Sequence, residues 1–117
     1  MATLTAEAVT EDGLTATGSA AAGGGDQYYN SGIEWIEITN DDATATTVTV
    51  TAQATQVTIP GYGDLDKADR TLVVAAGTVM KAGPFPKTAF NNAGGYVQLT
   101  YSKVTSLNVA VLYHGSI

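Results

Sequence analysis

Gly83-Pro84-Phe85-Pro86-Lys87-Thr88-Ala89-Phe90-Asn91-Asn92-Ala93-Gly94-Gly95-Tyr96-Val97-Gln98-Leu99-Thr100-Tyr101-Ser102 joins a rigid corner, a turn and a strand. Pro84 and Pro86 fix φ and remove two backbone donors, so the run is excluded from a central strand and from a helix interior. Each proline also biases the residue before it, Gly83 and Phe85, towards extended geometry. Asn91, Asn92, Gly94 and Gly95 tolerate positive φ and supply turn chemistry. From Tyr96 the pattern alternates, with Val97, Leu99 and Tyr101 on one face and Gln98, Thr100 and Ser102 on the other. That is a half-buried strand entered from a stiff corner that swings the chain between layers. Phe85 and Phe90, the two phenylalanines, flank the corner. Phe85 either seals one end of the core or stands out against a partner, and a corner fixed by two prolines favours the core.

Outward from this stretch the same period recurs. Leu107, Val109, Val111 and Tyr113 share a face of a last strand whose other face, Ala110 and Leu112, is apolar too, so it is expected to be covered on both sides. It is expected to pair with Tyr96–Ser102 as a hairpin. Arg70–Val74 and Val79–Ala82, separated by Ala75-Ala76-Gly77-Thr78, read as a second hairpin. Val48, Val50, Ala52 and Ala54 point inward from a strand with threonines outward, expected to pair with Ile33–Thr39. In that last segment Ile33 and Trp35 have one parity and Ile36 and Ile38 the other, which calls for two covered faces or a bulge near Trp35.

Towards the N-terminus the signal weakens. Met1–Thr10 is an edge strand or an extended arm, Leu14–Thr17 a short strand, and Gly18–Gly25 a flexible loop or an arm ordered on assembly. The glycine run lacks the Lys-Ser/Thr ending and following helix of a phosphate loop. The chain therefore divides into residues 1–30, an extended arm with a Gly-rich loop, and residues 31–117, the sandwich domain. The fold class is all-β: a single compact antiparallel sandwich or barrel of Greek-key or jelly-roll type, with about eight strands and no helix.

Composition narrows function by exclusion. The 117 residues carry a net charge of −6, with only five Lys and Arg, and these are scattered, which disfavours nucleic acid as a partner. Without cysteine there is no disulfide, thiolate metal site or cysteine nucleophile. No apolar run is long enough for a membrane helix, and the first residues have no basic and apolar regions of a secretory signal, so a soluble cytoplasmic product is expected. His114 is the single histidine, beside a strand end, and no Gly-x-Ser-x-Gly elbow is present. Glu34 and Glu37 have opposite parity, so they do not make a carboxylate pair on one face. No catalytic residue, cofactor site or cofactor is assigned. Asp64, Asp66 and Asp69 cluster in a loop that would suit calcium, but the bidentate Glu and flanking helices of the calcium motif are missing, so a solvated acidic loop with Lys67 and Arg70 as counter-charges is the default.

Five aromatic residues are candidate contact residues: Tyr28, Tyr29, Trp35, Tyr62 and Phe85. The tyrosines beside the Gly-rich loop offer apolar area with a polar tip, or simply pack over the sandwich end. Trp35, the single tryptophan, is either a core anchor or an interface residue.

From Ala68 onward the chain resembles small virion proteins of tailed bacteriophages, of the capsid decoration or cement kind. The residues that carry this are Ala68-Asp69-Arg70-Thr71, Ala75-Ala76-Gly77, Gly83-Pro84-Phe85-Pro86, Phe90-Asn91, Gly95-Tyr96-Val97, Thr100-Tyr101-Ser102, Val104-Thr105 and Val109-Ala110-Val111. Met1-Ala2-Thr3-Leu4, Gly24–Asp26 and Ile33–Asn40 extend it more weakly. The Gly61-Tyr62-Gly63 insertion has no place in the pattern. The resemblance implies a non-enzymatic protein on the capsid surface, assembled in the host cytoplasm, that stabilises contacts between major capsid subunits. A homo-oligomer such as a trimer is compatible with it, and no membrane partner is implied. A phage tail, neck or fibre component shares the composition, and a carbohydrate-binding sandwich using tyrosines and the Asp64 loop is the other reading.

Overall fold

The computed structural model describes residues 2–53, 56–59, 61, 63–66 and 68–115. Ten strands build two sheets. The first has the order β1 (Ala2–Leu4), β4 (Asp26–Tyr29), β11 (Tyr96–Tyr101), β6 (Thr46–Val50) and β9 (Arg70–Val74). The second has the order β10 (Thr78–Ala82), β5 (Trp35–Asn40), β12 (Leu107–His114) and β2 (Ala6–Val9), with β3 (Ser19–Ala20) also on the β12 edge. β7 (Gln56–Ile59) and β8 (Gly63–Asp66) form a separate antiparallel pair, and α1 (Lys87–Phe90) is one helical turn. β1 runs parallel to β4 and β2 parallel to β12, and the other pairs are antiparallel.

The protein is an all-β sandwich. Alternation sets the inner faces, and for Ile33–Asn40, where the sequence left two parities open, Ile36 and Ile38 take the inner one. Val97 and Leu99 from β11, Val48 and Val50 from β6, Ile36 and Ile38 from β5, and Val109 and Val111 from β12 are all buried in one core. Each of these side chains is worth about 1.5–3 kcal/mol of apolar burial, so the two interleaved faces dominate the fold. Ala54 and Tyr62 lie outside the described residues.

The three expected hairpins do not form. β5 pairs with β10 and β12, whereas β6 pairs with β11 and β9. β9 and β10 belong to different sheets, as do β11 and β12. Each short link is an arch that carries the chain across the sandwich. The same turn residues serve both purposes, and the two-sheet core decides between them, because an arch lets both flanking strands contribute an inner face. Asn40 secures one crossing: its buried amide nitrogen donates to the carbonyls of Thr44 (3.0 Å), Val74 (3.0 Å) and Ala75 (3.3 Å). A hairpin that forms among the described residues, β7 with β8, lies partly in the segment expected to be a loop.

Residues 2–29, set apart in the sequence as an arm, supply four strands that pair within the single chain, and Leu4 is part of the core. The Gly18–Gly25 run is not a loose loop. Gly25 has φ +93°, and a Cβ there would lie 2.5 Å from the Leu99 carbonyl oxygen. A Cβ on Gly18 would lie 2.8 Å from the Val109 carbonyl oxygen. These glycines let the backbone press against the sheets.

At the corner, Gly83 takes φ +114° rather than ordinary extended geometry, with its backbone closed onto Trp35. Phe85 and Phe90 are both buried and meet edge-to-face, with ring centroids 5.4 Å apart. The helical turn α1 starts directly after Pro86, where a missing N–H leaves no bond unmade. Asn30, also buried, ties the corner together: its amide donates to the Phe85 carbonyl (3.0 Å) and to Asn91 Oδ1 (2.7 Å).

Candidate functional site

The candidate contact residues separate by strand parity. Tyr28 sits in register with Leu4 and Val97 and points inward, fully buried, with its hydroxyl unpartnered among the described residues. Burial, followed by the charge of Glu34, pushes the Tyr28 phenol well above its usual range. It is a core residue, not a surface contact. Phe85 is likewise a core residue, packed on Phe90. Tyr29, one residue on, faces solvent at 60% exposure and meets Tyr96 edge-to-face at 6.1 Å. Trp35 is half-buried on the outer face of the second sheet. Ile36 and Ile38 take the inner face, and Ile33 lies before the strand and is exposed, so no bulge is needed to reconcile the two parities.

Trp35 forms the floor of an open trough of about 530 Å³, together with Leu112 and Val9. Leu14 and Ala16 make one wall and Pro84 lies on another side. Glu37 and Lys81, at 3.5 Å from each other, close one end. The wall is held by Glu7 on β2, whose carboxylate accepts the backbone N–H groups of Thr17 and Gly18, each at 3.0 Å. Those two bonds, and the Thr17 hydroxyl, outweigh desolvation and draw the Glu7 carboxyl below its ordinary range. Leu14, Thr15 and Ala16 themselves make no backbone hydrogen bond among the described residues.

A second surface lies along the outer edges of the two sheets. β9 and β10 occupy end positions of their sheets and are joined by the exposed Ala75-Ala76-Gly77 tip. Val73 on β9 is 61% exposed and Val79 on β10 is 54% exposed. Sequence reading passed over both, because an outward valine in an alternating strand is indistinguishable from an inward one until the neighbouring sheet is known.

Buried polar groups are mostly structural. The Glu34 carboxyl is raised by burial but lowered further by bonds from the Ser31 hydroxyl and N–H, with a net shift downward. Asp26 is fully buried, with Oδ2 accepting the Tyr101 hydroxyl at 2.7 Å and the Ala22 N–H at 3.2 Å, while Oδ1 is unpartnered among the described residues. Desolvation, reinforced by this carboxylate, holds the Tyr101 phenol protonated far above its usual range. His114 is exposed at the end of β12.

Of the calcium candidates, Asp69 is exposed and its Oδ1 accepts the Ala52 N–H at 2.7 Å, whereas the side chains of Asp64 and Asp66 lie outside the described residues. Among the described residues no three acidic or histidine side chains are grouped to hold a metal. No helix among them is long and apolar enough to cross a membrane. No family model matches the chain, and neither a curated protein nor a solved structure matches it.

Proposed function

We propose that this chain is a non-enzymatic structural protein of a tailed-bacteriophage virion, which sits on the capsid and reinforces contacts between major capsid subunits. The observation that carries the reading is the apolar border formed by Val73, the Ala75-Ala76-Gly77 tip and Val79. Sandwich edges are ordinarily blunted by charge, because an open edge with apolar side chains invites pairing. Here the cations on these two strands, Arg70 and Lys81, stand away from the tip, leaving valine and alanine exposed beside strand edges that are unpaired among the described residues. Such a border fits against a neighbouring protein by burying apolar area and adding strands. The sequence resemblance from Ala68 onward includes this segment and supplies the capsid subunit as partner. Many copies on one shell would turn modest contacts into collective stabilisation.

Co-sedimentation with undecorated phage heads tests the reading. The native chain is expected to pellet with heads, and a Val73→Asp/Val79→Asp double variant to bind at least about tenfold more weakly, as loss of two apolar contacts implies. Failure of the native chain to pellet with heads removes the proposal. Labelling of tails rather than heads in electron micrographs of virions moves the protein to the tail.

A further inference from the structure

We propose that the trough over Trp35 is a docking site for an extended, aliphatic and basic segment of a partner protein, which adds as a short strand along Leu14–Ala16. Three observations converge. The wall is positioned but unpaired: Glu7 pins Thr17 and Gly18, while the backbone groups of Leu14, Thr15 and Ala16 make no hydrogen bond among the described residues. An extended peptide satisfies such groups by main-chain pairing, the mode that gives strand addition its affinity. The floor is apolar and aromatic, with Trp35, Leu112 and Val9 beneath and Leu14 still 39% exposed at the rim. At about 530 Å³ the trough lies within the range of real ligand sites, so alternate aliphatic side chains of a strand have room to enter.

Charge selects the partner. The exposed Glu11 and Asp12 lie three and two residues before Leu14, with no cation between Met1 and Leu14 in the sequence, and the chain carries a net charge of −6. Lys81, the cation in the lining, is already paired with Glu37. A basic segment is therefore favoured electrostatically over an acidic one. A saccharide suits the trough less well, because it needs several polar side chains for its hydroxyls and the charged lining groups, Glu37 and Lys81, are engaged with each other. The inference rests on the preceding reading only for the origin of the segment, a partner subunit.

Trp35 is the single tryptophan, so its fluorescence reports the site directly. The probe is the capped peptide acetyl-Lys-Val-Thr-Val-Thr-Val-Lys-amide, titrated into the full chain, with the same peptide carrying Glu for Lys as comparison. A saturable emission shift with the basic peptide, at least about tenfold weaker with the acidic one, is expected. Leu14→Ser is expected to weaken binding by a similar factor with an unchanged thermal midpoint, since Leu14 is exposed on a coil. In the native chain, amide chemical shifts at residues 14–16 are expected to move with the same saturation curve, which tests the site without any variant. No saturable shift, equal binding of both peptides, or shifts that spare residues 14–16 would overturn the proposal, as would a response to maltohexaose or octyl glucoside in place of the peptide. Head binding that survives while the peptide gives no response removes the trough alone.

Discussion

Replacing Gly25 with alanine is expected to destabilise the sandwich by about 3 kcal/mol, although Gly25 sits in a glycine run that reads as a linker. The magnitude has two parts. A φ of +93° is a conformation that L side chains avoid, at roughly 1–2 kcal/mol. The new methyl would also stand 2.5 Å from the Leu99 carbonyl oxygen, a backbone atom that cannot swing aside, and overpacking of that kind costs roughly 1–3 kcal/mol. Gly23, two residues earlier, meets nothing within 4 Å, and Gly23→Ala is expected to change stability by under about 1 kcal/mol, in the stabilising direction. Urea denaturation followed by circular dichroism measures both. For 117 residues the unfolding entropy is on the order of 0.25 kcal/mol per kelvin, so Gly25→Ala is expected to lower the thermal midpoint by about 12 °C. A Gly25→Ala variant within about 0.5 kcal/mol of native, or equal effects at the two positions, would refute the claim that this run is packed against the sheet.

Further expectations follow from the buried polar groups. Asn40→Ala leaves the carbonyls of Thr44, Val74 and Ala75 short of a donor and is expected to cost about 2–4 kcal/mol in urea denaturation; a loss below about 0.5 kcal/mol would mean that Asn40 does not hold the arch. Tyr28→Phe removes a hydroxyl that has no partner among the described residues and is expected to be neutral or stabilising by up to about 1 kcal/mol, whereas Tyr101→Phe takes a donor from buried Asp26 and is expected to cost about 2 kcal/mol. The reverse order in the same denaturation series would contradict the assigned bonding. Bonds from Lys103 and Thr44 lower the Asp42 carboxyl from its ordinary 3.8 to about 2. Because the folded value is the lower one, this stabilisation is complete above the ordinary value and is lost as the pH falls towards about 2. Urea midpoints measured between pH 5 and about pH 2 are expected to fall less steeply for Asp42→Asn than for the native chain, and parallel curves would exclude the linkage.

Much of the strand content was legible because side-chain alternation is a local property. Val97 and Leu99, Val48 and Val50, and Val109 and Val111 all face the core as their spacing requires. The proline corner was legible in part: its two phenylalanines do seal the core, whereas Gly83 takes a positive φ instead of extended geometry and a helical turn follows Pro86 where no helix was expected. The contact surfaces were less so. Tyr28 and Tyr29 are adjacent in sequence, yet one is fully buried and the other 60% exposed.

The sequence by itself determined an all-β chain, the inward set of its cleanly alternating strands and the absence of thiol chemistry, because composition and a period of two need no knowledge of distant partners. Only the tertiary structure decided which strands meet. Ala75-Ala76-Gly77 and Lys103–Ser106 have the residues of hairpin turns, but both carry the chain from one sheet to the other. The choice between hairpin and arch is made by where the flanking apolar faces are buried, and that is a property of two packed sheets rather than of any turn. The same packing turned the glycine run into a fitted backbone, placed Trp35 in the lining of the trough and left Val73 and Val79 at an open border.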